Sequence, residues 1–157
     1  MKQLRVIGAI NQESLEAGIK FYRDMLEIPL HVCSSIEVAE MCKIAENAYR
    51  YVQIAFAEEL KMICETLGLD FNEVREACNT KWNIEILEAR EGIGGHCLPK
   101  DIRYLASLTI YNTLLKSAIK VDEEYRKWLT RKGKGRDMNF NTTKILSIFK
   151  SLKLTKT

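Results

Sequence analysis

Between residues 36 and 67 the sequence runs for 32 positions without a glycine or a proline. Such a run reads as one long helix, spanning ~45 Å at ~1.5 Å per residue. Ser34 and Ser35 precede it as N-cap residues, and Gly68 follows it as the residue that ends it. Its apolar positions, among them Val38, Met41, Ala48, Val52, Ala55, Phe56, Ile63 and Leu67, cover more than one stripe. That pattern predicts burial over most of the helix surface. The length exceeds what a small lone domain needs and suits a helical bundle or the spine of a dimer.

Other elements are arranged around this spine. Residues 4–10 (LRVIGAI) read as a short buried strand and 30–33 (LHVC) as a second. A strand so near the start of a chain needs a neighbour in a sheet. Between them Asn11 caps a helix whose apolar face is Leu15, Ile19, Tyr22 and Leu26, with Pro29 as its stop. Asp70 caps a short helix over 71–77, and Asn79-Thr80 lead into a segment around 82–89. A helix with Tyr104, Leu105 and Leu108 runs toward another from about Asn112 to Trp128. The charges at 122–124 beside Arg126-Lys127 read as a solvated helix face. Arg131-Lys132-Gly133-Lys134-Gly135 reads as a hinge, and 139–152 as a short amphipathic helix. From residue 126 onward ten Lys/Arg face one Asp, a basic tail on a mildly acidic body. The tail has no interleaved aromatic platform, so it reads as a solvated end, not a nucleic-acid or membrane contact.

The chemistry concentrates in Gly92-Ile93-Gly94-Gly95-His96-Cys97-Leu98-Pro99-Lys100-Asp101. Three glycines strip the backbone of side chains just before a cysteine, and Pro99 suits the first turn of a helix. A thiol at a helix N-terminus is favoured as the nucleophilic thiolate, and Asp101 follows four residues later. On the long helix Lys43 and Asn47 also stand four apart, on one face. An amine and a carboxamide aimed together suit a developing oxyanion. The competing readings are an inert cysteine in a Gly-rich turn and a polar helix edge.

Five unpaired-looking cysteines with no CxxC point to a reducing, cytoplasmic setting. No apolar run reaches the ~20 residues of a membrane span. His31 and His96 with their neighbouring cysteines fit no zinc spacing, so no metal is expected.

Taken together, Glu37 through Arg50 (EVAEMCKIAENAYR), Ile54 through Leu60 (IAFAEEL), Asn79-Thr80 and the Gly92–Asp101 stretch resemble the UDP-glucose/GDP-mannose dehydrogenase family of nucleotide-sugar 6-dehydrogenases. The resemblance covers about residues 4–129 and includes the UDP-N-acetyl-sugar dehydrogenases. It implies a mostly α fold: a long-spine helical dimerisation domain, with the two short N-terminal strands left from a truncated Rossmann-type domain. It divides the chain into 1–34, the end of an NAD-binding domain; 35–130, the central catalytic and dimerisation domain; and 131–157, a basic linker or tail. By the same resemblance Cys97 is the nucleophile, Lys43 and Asn47 stabilise the oxyanion, and Asp101 assists water or proton transfer. Gly94 and Gly95 leave room for substrate and cofactor. NAD is the implied cofactor, a nucleotide sugar the substrate, and a homodimer through 36–67 the assembly.

The chain departs from the family at one telling point. It holds no GxGxxG, and Gly92-Ile93-Gly94-Gly95 does not follow a strand. The expectation is therefore a portion of such an enzyme, truncated or completed elsewhere, inactive alone. The alternatives are a helical dimerisation module without the chemistry, and a thiol hydrolase using Cys97.

Overall fold

The computed structural model describes residues 3–133. Strand β1 (Arg5–Ile7) pairs in parallel with β2 (Leu30–Val32), in the register Arg5↔Leu30, Val6↔His31, Ile7↔Val32. Parallel strands need a crossover, here helix α1 (Gln12–Ile19) and a π-helical continuation over Lys20–Met25. The Asn11 side chain caps α1 by accepting from the Ser14 amide at 2.8 Å. The helix ends before Pro29 is reached, and Glu27 takes a positive φ of 52°. β1 is shorter than expected and is not buried. Val6 is 36% exposed, and among the described residues the sheet has only these two strands.

Helix α2 (Ile36–Leu67) is the long helix anticipated from the sequence. Ser35 Oγ accepts from the Val38 amide, and Gly68 at φ 70° ends the helix. The short helix α3 (Phe71–Cys78) starts at Asp70, whose carboxylate accepts from the Glu73 amide at 2.9 Å. Helices α4 (Cys97–Ser107) and α5 (Thr113–Lys132) both pack on α2. Asn112 breaks the chain between them, donating to the Ala106 and Thr109 carbonyls at 2.7 and 2.8 Å.

Two apolar clusters hold the helices together. Ala48, Tyr51 and Ala55 of α2 meet Ile102 of α4, Ala118 of α5 and Ile93. Farther along, Ala57 and Cys64 meet Phe71, Ile86, Ala89 and Tyr125. The small side chains on this face of α2 let the partner helices approach closely.

The opposite face of α2 corrects an expectation. Val38, Met41, Tyr49, Phe56 and Ile63 are 42–65% exposed, so the described residues bury the helix on one side only. Apolar periodicity shows that a face wants cover, not which molecule supplies it.

Helix α5 carries Arg131 and Lys132, so these two residues of the expected hinge are helical, and Lys134 and Gly135, the 139–152 helix and the rest of the basic tail lie outside the described residues.

The segment between α3 and α4 has no regular structure. Asn79 fixes its middle, with Nδ2 donating to the Ile86 carbonyl at 3.0 Å and Oδ1 accepting from the Ile86 amide at 2.7 Å. One side chain thus imitates a strand neighbour and satisfies both backbone groups of a residue that is buried.

Candidate active site

The glycine segment feeds directly into α4, whose first residue is Cys97. Pro99 falls in the first turn, where its missing N–H costs no helical hydrogen bond. The Cys97 thiol is exposed at this helix start. Asp101 lies one turn further along the same face but is buried, at 7% exposure.

Asp101 is where the two helices join. Asn47 Nδ2 of α2 donates to Asp101 Oδ2 at 2.5 Å, and Lys100 Nζ lies 3.2 Å from Oδ1. The Asn47 amide foremost, then the Lys100 and Lys43 ammonium groups, hold the Asp101 carboxyl below its ordinary range against the opposing push of burial. Lys43 sits one turn before Asn47. Its side chain is 69% exposed and pairs with Glu46 at 3.6 Å. The fold thus brings Asn47 and Asp101 into contact and sets Lys43 within electrostatic reach of them. Cys97 shares the helix of Asp101 and makes no side-chain hydrogen bond among the described residues.

The glycines divide into three kinds. Gly92 has φ 96°, and a Cβ there would lie 2.8 Å from the Arg126 guanidinium carbon. Gly95 has φ 79° with open space beside it. Gly94 has open space and no positive φ, so nothing in the backbone demands glycine there. Gly95→Ala is therefore expected to lower stability by about 1 kcal/mol. Gly94→Ala is expected to leave the urea midpoint unchanged. Equal losses in the two variants would show that Gly94 is fixed by packing, not by room for a ligand.

The glycine segment is tied down by side chains from α2 and α5. Lys61 Nζ donates to the Ala89 carbonyl at 2.9 Å, and the Tyr125 hydroxyl to the Arg90 carbonyl at 2.7 Å. The Ile93 amide donates to Asp122 Oδ1 at 2.7 Å, and Arg126 Nη2 to the Ile93 carbonyl at 2.6 Å. Arg126 Nε and the Tyr51 hydroxyl complete the carboxylate, each at 3.1 Å. An irregular segment cannot satisfy its own backbone, so these four side chains do it. Burial and the Asp122 charge push the Tyr51 phenol well above its ordinary range. Burial first, then the Glu58 charge, push Tyr125 up to about 12.

This overturns the reading of 122–124 beside Arg126-Lys127 as a solvated face at Asp122, while Glu123, Glu124 and Lys127 are exposed as read. Asp122 is 6% exposed, because it lies within the stripe Ala118, Val121, Tyr125 and Trp128 that α5 turns toward α2. That stripe was the available signal. A cleft of about 530 Å³ runs beside the segment, lined by Arg50, Arg75, Glu88, Gly92, Gly94 and Leu98. Its wall does not include Cys97, Lys43, Asn47 or Asp101.

The sequence model of the UDP-glucose/GDP-mannose dehydrogenase family, central domain, matches residues 37–124, more than half of the chain. The chain belongs to this family. The UDP-N-acetyl-D-mannosamine dehydrogenase of Methanococcus vannielii is 31% identical over 120 residues, covering 76% of this chain and 28% of its own length. The NDP-N-acetyl-D-galactosaminuronic acid dehydrogenase of Ralstonia nicotianae is 37% identical over 97 residues, covering 62% of this chain and 23% of its own. Among solved structures, the UDP-D-ManNAc dehydrogenase of Pyrococcus horikoshii superposes with a TM-score of 0.73 at 29% identity, over 82% of this chain and 31% of that one. A UDP-glucose dehydrogenase of Pyrobaculum islandicum gives 0.67 at 28% identity, over 77% of this chain and 29% of that one. The chain thus spans less than a third of each of these relatives.

Within the family's central domain, the matched range contains Lys43, Asn47, Cys97, Asp101 and Asp122, whereas Tyr125 and Arg126 lie just beyond it. Among the described residues no helix is long and apolar enough to cross a membrane. The segment 92–97 follows an irregular stretch, not a strand, so it does not form a pyrophosphate cradle of the dinucleotide-binding type.

Proposed function

We propose that this chain is a portion of an NAD-dependent nucleotide-sugar 6-dehydrogenase, the portion carrying its nucleophile and its helical dimerisation spine. In this reading residues 1–34 end a dinucleotide-binding domain and 35–130 form the central domain. The supporting observation is the Asn47–Asp101 hydrogen bond, which locks the helix bearing Lys43 against the helix headed by Cys97. Oxidation of a C6 alcohol takes a nicotinamide dinucleotide as hydride acceptor. The described residues offer it no cradle, so no hydride step is assigned to them.

What these residues supply is thiol chemistry on a C6 aldehyde. The Cys97 sulfur bonds to the aldehyde carbon, the carbonyl π pair moves to oxygen, and a thiohemiacetal forms once that oxygen takes a proton. Lys43 and the second N–H of the Asn47 amide are the groups to stabilise the oxyanion. Asp101, kept as a carboxylate by its partners, orients Asn47 and is placed to accept a proton from water in hydrolysis of a Cys97 thioester. Gly94 and Gly95 leave the approach to the thiol open. The exposed apolar face of α2, with Met41, Tyr49, Phe56 and Ile63, supports a second copy of the chain as the covering partner.

The test is aldehyde capture. The chain is mixed with a UDP-sugar 6-aldehyde labelled with 13C at C6, and the hemithioacetal carbon is followed by NMR. A Cys97-dependent resonance is expected, lost in Cys97→Ala and formed at least ~10-fold more slowly in Lys43→Ala. Absence of that resonance in the unmodified chain would leave the helical dimerisation module as the better reading.

A further inference from the structure

Glu58 is a charged residue type at 0% exposure in the middle of α2. Neither of its carboxyl oxygens has a hydrogen-bond partner among the described residues. Its position faces the cluster that ties down the glycine segment. Asp122 and Arg126 of α5 act on its charge. Its charge acts in turn on Tyr51 of α2 and Tyr125 of α5. Lys61, one turn further along α2, lies over the Tyr125 ring at 5.9 Å and is committed to the Ala89 carbonyl.

The two carboxyl groups are unequally served. Asp122 receives the Ile93 amide, the Tyr51 hydroxyl and the Arg126 guanidinium. Glu58 receives no donor among the described residues. A buried carboxylate without donors is costly, so the proton belongs on Glu58. We propose that Glu58 is a positioning residue: as a neutral acid it leaves Asp122 and Arg126 free to hold Ile93, and its ionisation releases that hold.

The physical route is short. An ionised Glu58 repels Asp122 and competes for Arg126. The guanidinium is already shared between Asp122 and the Ile93 carbonyl. Drawing it toward Glu58 weakens both ends of the Ile93 clasp, four residues before Cys97. Burial first, then the Asp122 charge, raises the Glu58 carboxyl to about 8, against the smaller downward pull of Arg126. The clasp therefore holds at neutral pH and loosens in mild alkali. Its consequence for catalysis rests on the dehydrogenase reading above, but the clasp itself does not.

The experiment is amide hydrogen exchange at Ile93 in the full chain, corrected for the intrinsic pH dependence of exchange. Protection is expected to fall at least ~10-fold between pH 6.5 and 9 in the unmodified chain and to stay level in Glu58→Gln. A 13C titration of the Glu58 carboxyl in the unmodified chain is the second measurement, needing no variant. A single step coincident with the loss of Ile93 protection is expected. A carboxyl titrating in the ordinary range, or Ile93 protection that is flat with pH, overturns the proposal. These readouts do not depend on aldehyde capture by Cys97, so failure of that chemistry and failure of the clasp are separable.

Discussion

Asp122→Ala is expected to lower the stability of the chain by about 3 kcal/mol at pH 6, seen as a fall in the urea midpoint at constant slope. The carboxylate is nearly fully buried and accepts from three groups on three parts of the fold. Its removal strands the Ile93 amide and the Tyr51 hydroxyl, both buried, at about 1–3 kcal/mol each. Arg126 is 45% exposed, so water takes up part of its lost partnership and the full cost of a broken buried pair does not apply. One relaxation works in the opposite direction: Arg126 keeps the Ile93 carbonyl. A loss under about 1 kcal/mol would mean that the segment 89–93 is held by its apolar contacts and that the polar clasp is incidental.

Glu58→Gln should act the other way, stabilising the chain by about 3 kcal/mol at pH 7. The sign follows from linkage. The Glu58 carboxyl ionises at its ordinary 4.5 when exposed and at about 8 when buried in the fold. Between those values the native state holds a proton that the unfolded state has released. Raising the pH through that window therefore favours unfolding, at about 1.4 kcal/mol per pH unit. Below the window both states are protonated and no penalty applies; above it both are ionised and the penalty levels off. Glutamine keeps the shape and neutrality of the protonated acid, so it escapes the penalty altogether. Urea unfolding at pH 5, 6, 7 and 8 should give curves for the two proteins that nearly coincide at pH 5 and separate steadily to pH 8. Parallel curves would show that Glu58 is solvated or paired in solution. Because Glu58 and Asp122 act on each other, the two substitutions should not add, and their double variant should fall short of the sum.

Much of the scaffold was legible because it is local. Helix α2 follows from 32 residues without a breaker, and its ends from Ser35 and Gly68. Asn11 and Asp70 cap the helices they were read to cap, since a cap is a contact between a side chain and an amide three residues away. The glycines and the proline point to a helix start near Leu98 or Pro99, and α4 begins one or two residues earlier, at Cys97. The two pairs four residues apart, Lys43 with Asn47 and Cys97 with Asp101, were visible for the same reason.

What each face meets was not legible. Periodicity places Asn47 and Asp101 on helix faces, but only the packing of α4 on α2 brings them to 2.5 Å. Asp122 stands in a run of charges that in isolation belongs in water, and Glu58 stands beside a second glutamate on a helix with ample exposed surface. Asp122 is buried because the segment before Cys97 has no secondary structure and lies between α2 and α5, where its backbone donors must find side chains, and Glu58 is buried because it lies on the face of α2 that packs against α5. That need is set by a contact between residues 29 to 35 positions apart in the chain, at Ile93 with Asp122 and Arg90 with Tyr125. The sequence alone determined the helices, their caps and the thiol at the head of α4. The tertiary structure decided which charges leave water, because desolvation depends on what packs against a face and not on the face itself.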